Sequence, residues 1–300
     1  MNMAVSQNGG LRKKRFDLFN LVNGVLMAVI LFLIIYPIYY IVINSISDSY
    51  AVSQGQVFLF PIKPTMQAYL SAFRDSSIVT GFLNAVIYTS VGMVIKVAMT
   101  AMCAYPLSRP DFFGRRPLMS LIVFTMFFSG GLIPLYLTVN SMHLINTMWA
   151  VILPFSISVY NMIVMRTFFQ SIPYSLTEAA YIDGANDITI FARIILPLSK
   201  SIIATMILFY TVEQWNSYFY ALIFLTDKAK YPIQLVIRNI VLQGGTGDMT
   251  MAATEGDFNA VALKSIKYAV IVAVSLPVMV VYPFVFKYFE KGLMIGSIKG

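Results

Sequence analysis

Charge is scarce in this chain. Only 11% of its 300 residues are Asp, Glu, Lys or Arg, where a soluble domain carries about 25%. So few charges cannot cover a water-facing surface, which excludes an ordinary soluble globule. Cys103 is the only cysteine and His143 the only histidine. Disulfides and histidine-rich metal sites are therefore ruled out. No P-loop pattern occurs, and neither paired catalytic carboxylates nor a metal-ligand cluster can be found. Long apolar runs stand where charge is missing, and 58% of the residues are hydrophobic. The net charge of +8 suggests nucleic acid at first. Its basic residues are scattered over short loops, however, an arrangement that suits anionic lipid headgroups instead.

Six runs approach the ~20 residues that a helix needs to cross a bilayer core. They are 20–43, 82–105, 118–138, 147–169, 201–224 and 268–289. Backbone groups inside lipid must bond within their own segment, so each run is expected to be helical. The expectation is one all-α integral membrane domain over 1–300, with 1–19 as a cytoplasmic tail. Arg12, Lys13, Lys14 and Arg15 precede the first run in the manner of a signal peptide. That run continues past twenty residues without a small-residue cleavage site, so it reads as a retained span. With the N-terminus inside, thirteen of the 21 Lys and Arg residues fall on cytoplasmic segments and seven on outer ones, with Lys96 inside a span. This bias places both termini in the cytoplasm.

Pro61 and Pro64 in the outer segment 44–81 predict a turn before a short helix near 65–75. The outer segment 225–267, with Gly244, Gly245, Gly247 and Gly256, has no regular period and reads as a flexible loop.

The cytoplasmic segment 170–200 contains EAAYIDGANDITIFARIILP at 178–197, a polar, helix-breaking stretch between apolar runs. Pro173 suits a first helical turn. Ser175 with Glu178 matches a capping box, and Ser171 is an alternative cap. Gly184 can end this helix in the left-handed conformation. A second short helix is expected from Asp187 to Ile195, before Pro197. The segment reads as helix, sharp turn, helix at the membrane face, either docking another protein or merely tethering two spans as an interfacial hairpin.

These residues resemble the EAA loop of ABC importer permeases of the carbohydrate branch. Glu178, Ala179, Ala180, Asp183, Gly184, Ala185, Phe191, Ile194 and Pro197 fall where that motif expects them. The stretch WNSYFYALIFLTDKAKYP at 215–232 and the ending Lys291-Gly292-Leu293, Gly296 and Lys299-Gly300 resemble further signatures of the branch. Lys228 departs from it, standing where many relatives carry proline. The likeness covers the whole chain and is closest to the MalG-like and LplC-like permeases of oligosaccharide uptake.

That resemblance implies a six-helix, type I importer permease fold in a prokaryotic cytoplasmic membrane. The EAA segment would be the coupling helix, with Glu178 at a polar contact, Ala179 and Ala180 at the close-packed surface and Gly184 at the turn. It also implies partners: a second homologous permease, two cytoplasmic ATPase subunits that bind ATP and Mg, and an extracytoplasmic sugar-binding protein. Membrane lipid and an oligosaccharide substrate complete the set, without nucleic acid. The chain itself would hold no cofactor and no catalytic site.

Polar residues inside apolar runs are costly and commonly face a bundle interior or a watery path. Glu213, Asn216, Trp215 and Tyr210 are candidates for a sugar path, aromatic faces for stacking and polar groups for hydroxyls. Asn84, Asn161 and Tyr160 join them. The alternative for each is a structural hydrogen bond. Lys96 is expected to snorkel inward, with a pairing to Glu213 as the other choice. Gly130 and Gly131 read as close-packing positions. Pro37, Pro106, Pro154 and Pro277 read as kinks or span ends. Cys103 reads as an inert apolar residue and His143 as a solvent-facing one. Other readings remain open: a permease for peptides or amino acids, an ion-coupled carrier, or a membrane enzyme.

Overall fold

The computed structural model describes residues 18–245, 264–280 and 283. Helix α1 (Leu18–Ser45) is unbroken even at Pro37. It is apolar all round, and only 6% of its spanning window is buried within the chain, so it faces lipid or another subunit. Two short helices follow, α2 (Ser49–Ser53) and α3 (Gln67–Arg74). The second occupies the place that the prolines indicated.

Helix α4 (Ser76–Ser108) is the mast of the fold. Asp75 caps it, accepting from Ser77 N at 2.8 Å, and satisfies a free amide of the first turn. Its buried positions Gly81, Ala85, Gly92, Lys96, Thr100 and Ala104 recur on one face. Small residues matter here because lipid is as apolar as leucine, so close packing rather than escape from water holds spans together. A Cβ on Gly92 would stand 3.2 Å from Gln214 Cγ, and one on Gly81 would stand 3.0 Å from Val236 Cγ2.

Helices α5 (Arg115–Phe127) and α6 (Leu132–Ser141) meet at 116°. Gly131 lies between them with φ +84°, and no atom comes within 4 Å of where its Cβ would stand; a Cβ on Gly130 would find its nearest neighbour 3.9 Å away. These glycines break a helix instead of packing one, contrary to the sequence reading. Helix α7 (Met148–Ile152) continues into a tight turn through Pro154 to Phe155, then bends by 51° into α8 (Val159–Ser171). An elbow follows, made of α9 (Ser175–Ile182), α10 (Asp187–Ile190), a wide π turn (Phe191–Ile195) and α11 (Leu196–Leu198). Helix α12 (Lys200–Trp215) leaves it at 82° and is followed by α13 (Phe219–Phe224). Helix α14 (Ile233–Gly245) packs on the N-terminal part of α4, and α15 covers 264–280.

Helices α8, α12 and α14 all pack on α4. One core joins Ala104, Met162, Met165, Phe169, Ile190, Ile195 and Met206. A second joins Ile78, Ala85, Trp215, Ile233, Val236 and Val270 near the N-terminal end of α4.

Among the described residues only α1 and α4 are unbroken apolar helices of spanning length; counting each bent pair as one span gives up to five. Hydropathy expected six continuous spans. Turns interrupt the runs 118–138, 147–169 and 201–224, and the run 268–289 is described only to 280 and at Pro283. The expectation of an irregular 225–267 also fails at α14, whose contacts with α4 order it. Gly247, Gly256, the tail 1–17 and the ending from Lys291 to Gly300 lie outside the described residues.

Candidate functional site

The elbow is built by local rules. Helix α9 starts without a side-chain cap, since Tyr174 occupies the N-cap. The expected capping box is not formed, because Ser175 is already the first helical residue. Ser171 is not the cap either; its Oγ donates to Phe168 O at 2.7 Å. The helix ends as expected: Gly184 N donates to Tyr181 O at 3.0 Å and Ala185 N to Ala180 O at 2.9 Å. This pair of bonds is a Schellman motif, and it holds Gly184 at φ +78°. Asn186 then caps α10 by accepting from Thr189 N at 2.9 Å. The second helix widens after Ile190 into the π turn, and Pro197, with no amide to donate, follows it.

The elbow has two faces. Thr177, Ala180, Ile190 and Ile195 are buried, and Ala185 and Ile194 pack against the same core. Glu178, Ala179, Asp183, Gly184 and Pro197 face outward. Ile182 is 87% and Ile188 78% exposed, a bare apolar pair at the tip. Tyr181 OH donates to Asp187 Oδ1. That hydrogen bond, with lesser help from burial, pushes the phenol's pKa well above its usual value.

A second constellation lies on α12. Glu213 Oε1 is 2.9 Å from Lys96 Nζ, with the cation buried and the carboxylate half exposed. Lys96 therefore does not snorkel. It sits on the packed face of α4, where the interface offers a carboxylate. Glu213, Asn216, Ser217, Tyr218 and Phe219 line a cavity of about 220 Å³ beside it.

The remaining path candidates are dispersed. Tyr210 is fully buried; its hydroxyl bonds Thr100 Oγ1 at 2.6 Å and accepts from Ser158 N at 3.1 Å, tying α12 to α4 and α8. Trp215 is buried edge-on against Phe82. Asn161 is buried on α8, while Tyr160 is exposed. Asn84 Nδ2 donates to Ala229 O at 2.8 Å and Tyr231 O at 3.2 Å, a structural role. Tyr88 OH donates to Lys230 O at 2.9 Å, which pins the turn holding Lys228. Sequence reasoning passed over Arg109, which is buried at the C-terminal end of α4.

Comparison with known proteins agrees with this architecture. The family described as "Binding-protein-dependent transport system inner membrane component" matches residues 13–295. The chain belongs to that family. A Bacillus subtilis (strain 168) protein named polygalacturonan/rhamnogalacturonan transport system permease protein YtcP is 41% identical over 97% of this chain and 100% of its own length. Protein LplC of the same organism is 43% identical over 89% of this chain and 90% of its own. A chain from the crystal structure of a bacterial ABC transporter involved in import of the acidic polysaccharide alginate matches with TM-score 0.83 and 34% identity. The match covers 91% of this chain and 96% of that one.

The protein is thus a multi-pass inner-membrane permease of the carbohydrate branch, the non-catalytic subunit of an ABC importer for sugars or oligosaccharides that couples to cytoplasmic ATPase subunits. Among the described residues no group of three or more His, Cys, Asp or Glu could hold a metal ion.

Proposed function

We propose that the elbow at 175–198 is the segment that seats in the ATPase subunit, with Glu178, Ala179, Asp183 and Gly184 at or next to the contact. Ala180, Ala185 and Ile194 hold it against the bundle, and Pro197 lies at its exposed end. The observation that carries this reading is the outward face of the elbow, where Ile182 and Ile188 stand bare at a glycine-locked turn. Apolar side chains so exposed on a polar loop suit burial by a partner. ATP and Mg are used on two such ATPases, and a second permease completes the path. An external sugar-binding protein delivers the substrate. The permease has six spans with both termini in the cytoplasm.

The Glu213–Asn216 wall, with Tyr218 and Phe219, lines the route for the sugar. An ionised carboxylate accepts hydroxyl hydrogen bonds strongly, and aromatic faces stack on C–H surfaces. A relative named for polygalacturonan and rhamnogalacturonan transport and a solved importer of alginate support an oligosaccharide substrate.

Affinity purification of the assembled transporter tests the docking face. Ile182→Asp should release the ATPase subunits while this chain stays in the membrane, and full retention would refute the assignment. For the path, Asn216→Cys in a Cys103→Ala background should react with a water-soluble thiol reagent. A permanently protected thiol would remove Glu213 and Asn216 from the route.

A further inference from the structure

The inner end of α4 carries a charge that neither the docking face nor the path uses. Arg109 is 7% exposed, yet Lys96–Glu213 is the only ion pair among the described residues. Arg109 Nη1 donates to Thr177 Oγ1 on α9 at 2.9 Å. Its guanidinium lies 4.6 Å from the Tyr105 ring centre, and Tyr105 lies 4.8 Å from Phe191 of the π turn. Arg115 Nη1 donates to the Arg109 carbonyl at 3.1 Å. The buried Nε and Nη2 of Arg109 have no hydrogen-bond partner.

A buried cation with unfilled donors is unfavourable for folding, so stability alone does not account for it. Beside it opens a cavity of about 440 Å³ whose lining includes Asp111, Asp187, Ile188 and Phe191. Asp111 lies three residues beyond the end of α4. Asp187 rides on the elbow, so elbow displacement changes its distance from Arg109.

We propose that Arg109 is the positioning residue that carries movement of the elbow into α4, exchanging Thr177 for the Asp187 carboxylate as the elbow shifts. In one arrangement the guanidinium holds α9 through Thr177. In the other its free donors take Asp187, and Tyr181 gives up that carboxylate. Helix α4 also bears Lys96, so the same rigid body ends at the Glu213 wall. The proposal rests on the elbow being the ATPase seat.

The test is ATP hydrolysis by the complete transporter in lipid nanodiscs, with and without its sugar-loaded binding protein, alongside the amount of ATPase subunit retained. Arg109→Lys and Thr177→Val should keep the ATPases at wild-type stoichiometry. The ratio of stimulated to unstimulated hydrolysis should fall about tenfold for Arg109→Lys, within the span of ordinary coupling energies. Asp187→Asn should lower the same ratio. A merely structural role would reduce the yield of complex and leave that ratio alone. An unchanged ratio in all three variants overturns the proposal, as does loss of the ATPases from Arg109→Lys. Ile182→Asp serves as the control: if it retains its ATPases, the docking reading has failed independently of Arg109.

Discussion

Lys96 and Glu213 meet 2.9 Å apart across the α4–α12 interface, with the lysine side chain 2% exposed and the glutamate 48%. The asymmetry predicts unequal mutant costs. Glu213→Gln leaves an ammonium buried without a counter-charge, a change that costs about 3–5 kcal/mol in fully buried pairs. Lys96→Met leaves a carboxylate that water still reaches, so its loss should be about 1 kcal/mol, as for exposed pairs. Thermal unfolding of the purified transporter should therefore rank Glu213→Gln below Lys96→Met. The double variant should regain part of the deficit, because no stranded charge remains. Equal losses would mean that the cation is not sealed off by the interface.

Gly184 should be intolerant for conformational reasons alone. Nothing lies within 4 Å of the position a Cβ would take, but φ is +78°. Left-handed backbone costs an L-residue roughly 1–2 kcal/mol, and more for a β-branched one. Gly184→Val should keep its membrane insertion while transport is lost or ATP hydrolysis is uncoupled from it. Gly184→Asn should retain most activity, because asparagine visits that region readily. Equal behaviour of Val and Asn in an uptake assay would show that the turn conformation is not what matters.

The elbow was legible in the sequence because a Schellman turn demands a residue that only glycine supplies cheaply, and the apolar lengths of α1 and α4 announced those helices. Hydropathy reports depth in the bilayer but not which way a side chain faces, so the fate of Lys96 was misread. The recurrence of Gly81, Ala85, Gly92, Thr100 and Ala104 on one face of α4 was the missed signal, for Lys96 lies on that packed stripe. The bend at Gly131 was hidden for a related reason: an apolar run looks the same whether it is straight or folded back by 116°. Helix α14 escaped because glycines at its end masked thirteen residues ordered by contact with α4.

Tyr181 supplies a prediction in pH. Its hydrogen bond to Asp187 raises the pKa of the folded phenol above its ordinary value of 10. The neutral form is the one stabilised, so the contribution is complete below pH 10 and is lost only as pH rises through the higher folded value. From pH 6 to 9 the stability difference between wild type and Tyr181→Phe should therefore be flat. The ultraviolet difference spectrum of the two proteins should show no tyrosinate from this residue at about pH 10, where a free phenol is half ionised. Half-ionisation there would mean that the Asp187 contact is not held in solution.

Gly81 and Gly92 should both resist enlargement, but to different degrees. The atoms nearest a Cβ at Gly92 belong to the flexible side chain of Gln214, the first at 3.2 Å. At Gly81 it meets Val236 Cγ2 at 3.0 Å and the Ile233 backbone at 3.3 Å. A glutamine can move by a few tenths of an ångström, whereas the α14 backbone can yield only by shifting the helix. Overpacking a filled interface costs about 1–3 kcal/mol, and Gly81→Ala should lie near the top of that range with Gly92→Ala near the bottom. The shift at Gly81 would also pull α14 from α4, so protease sensitivity should rise selectively around Ile233–Gly245. If Gly92→Ala proves the more damaging, the tight α4–α14 contact is not the one holding the outer half of the bundle together.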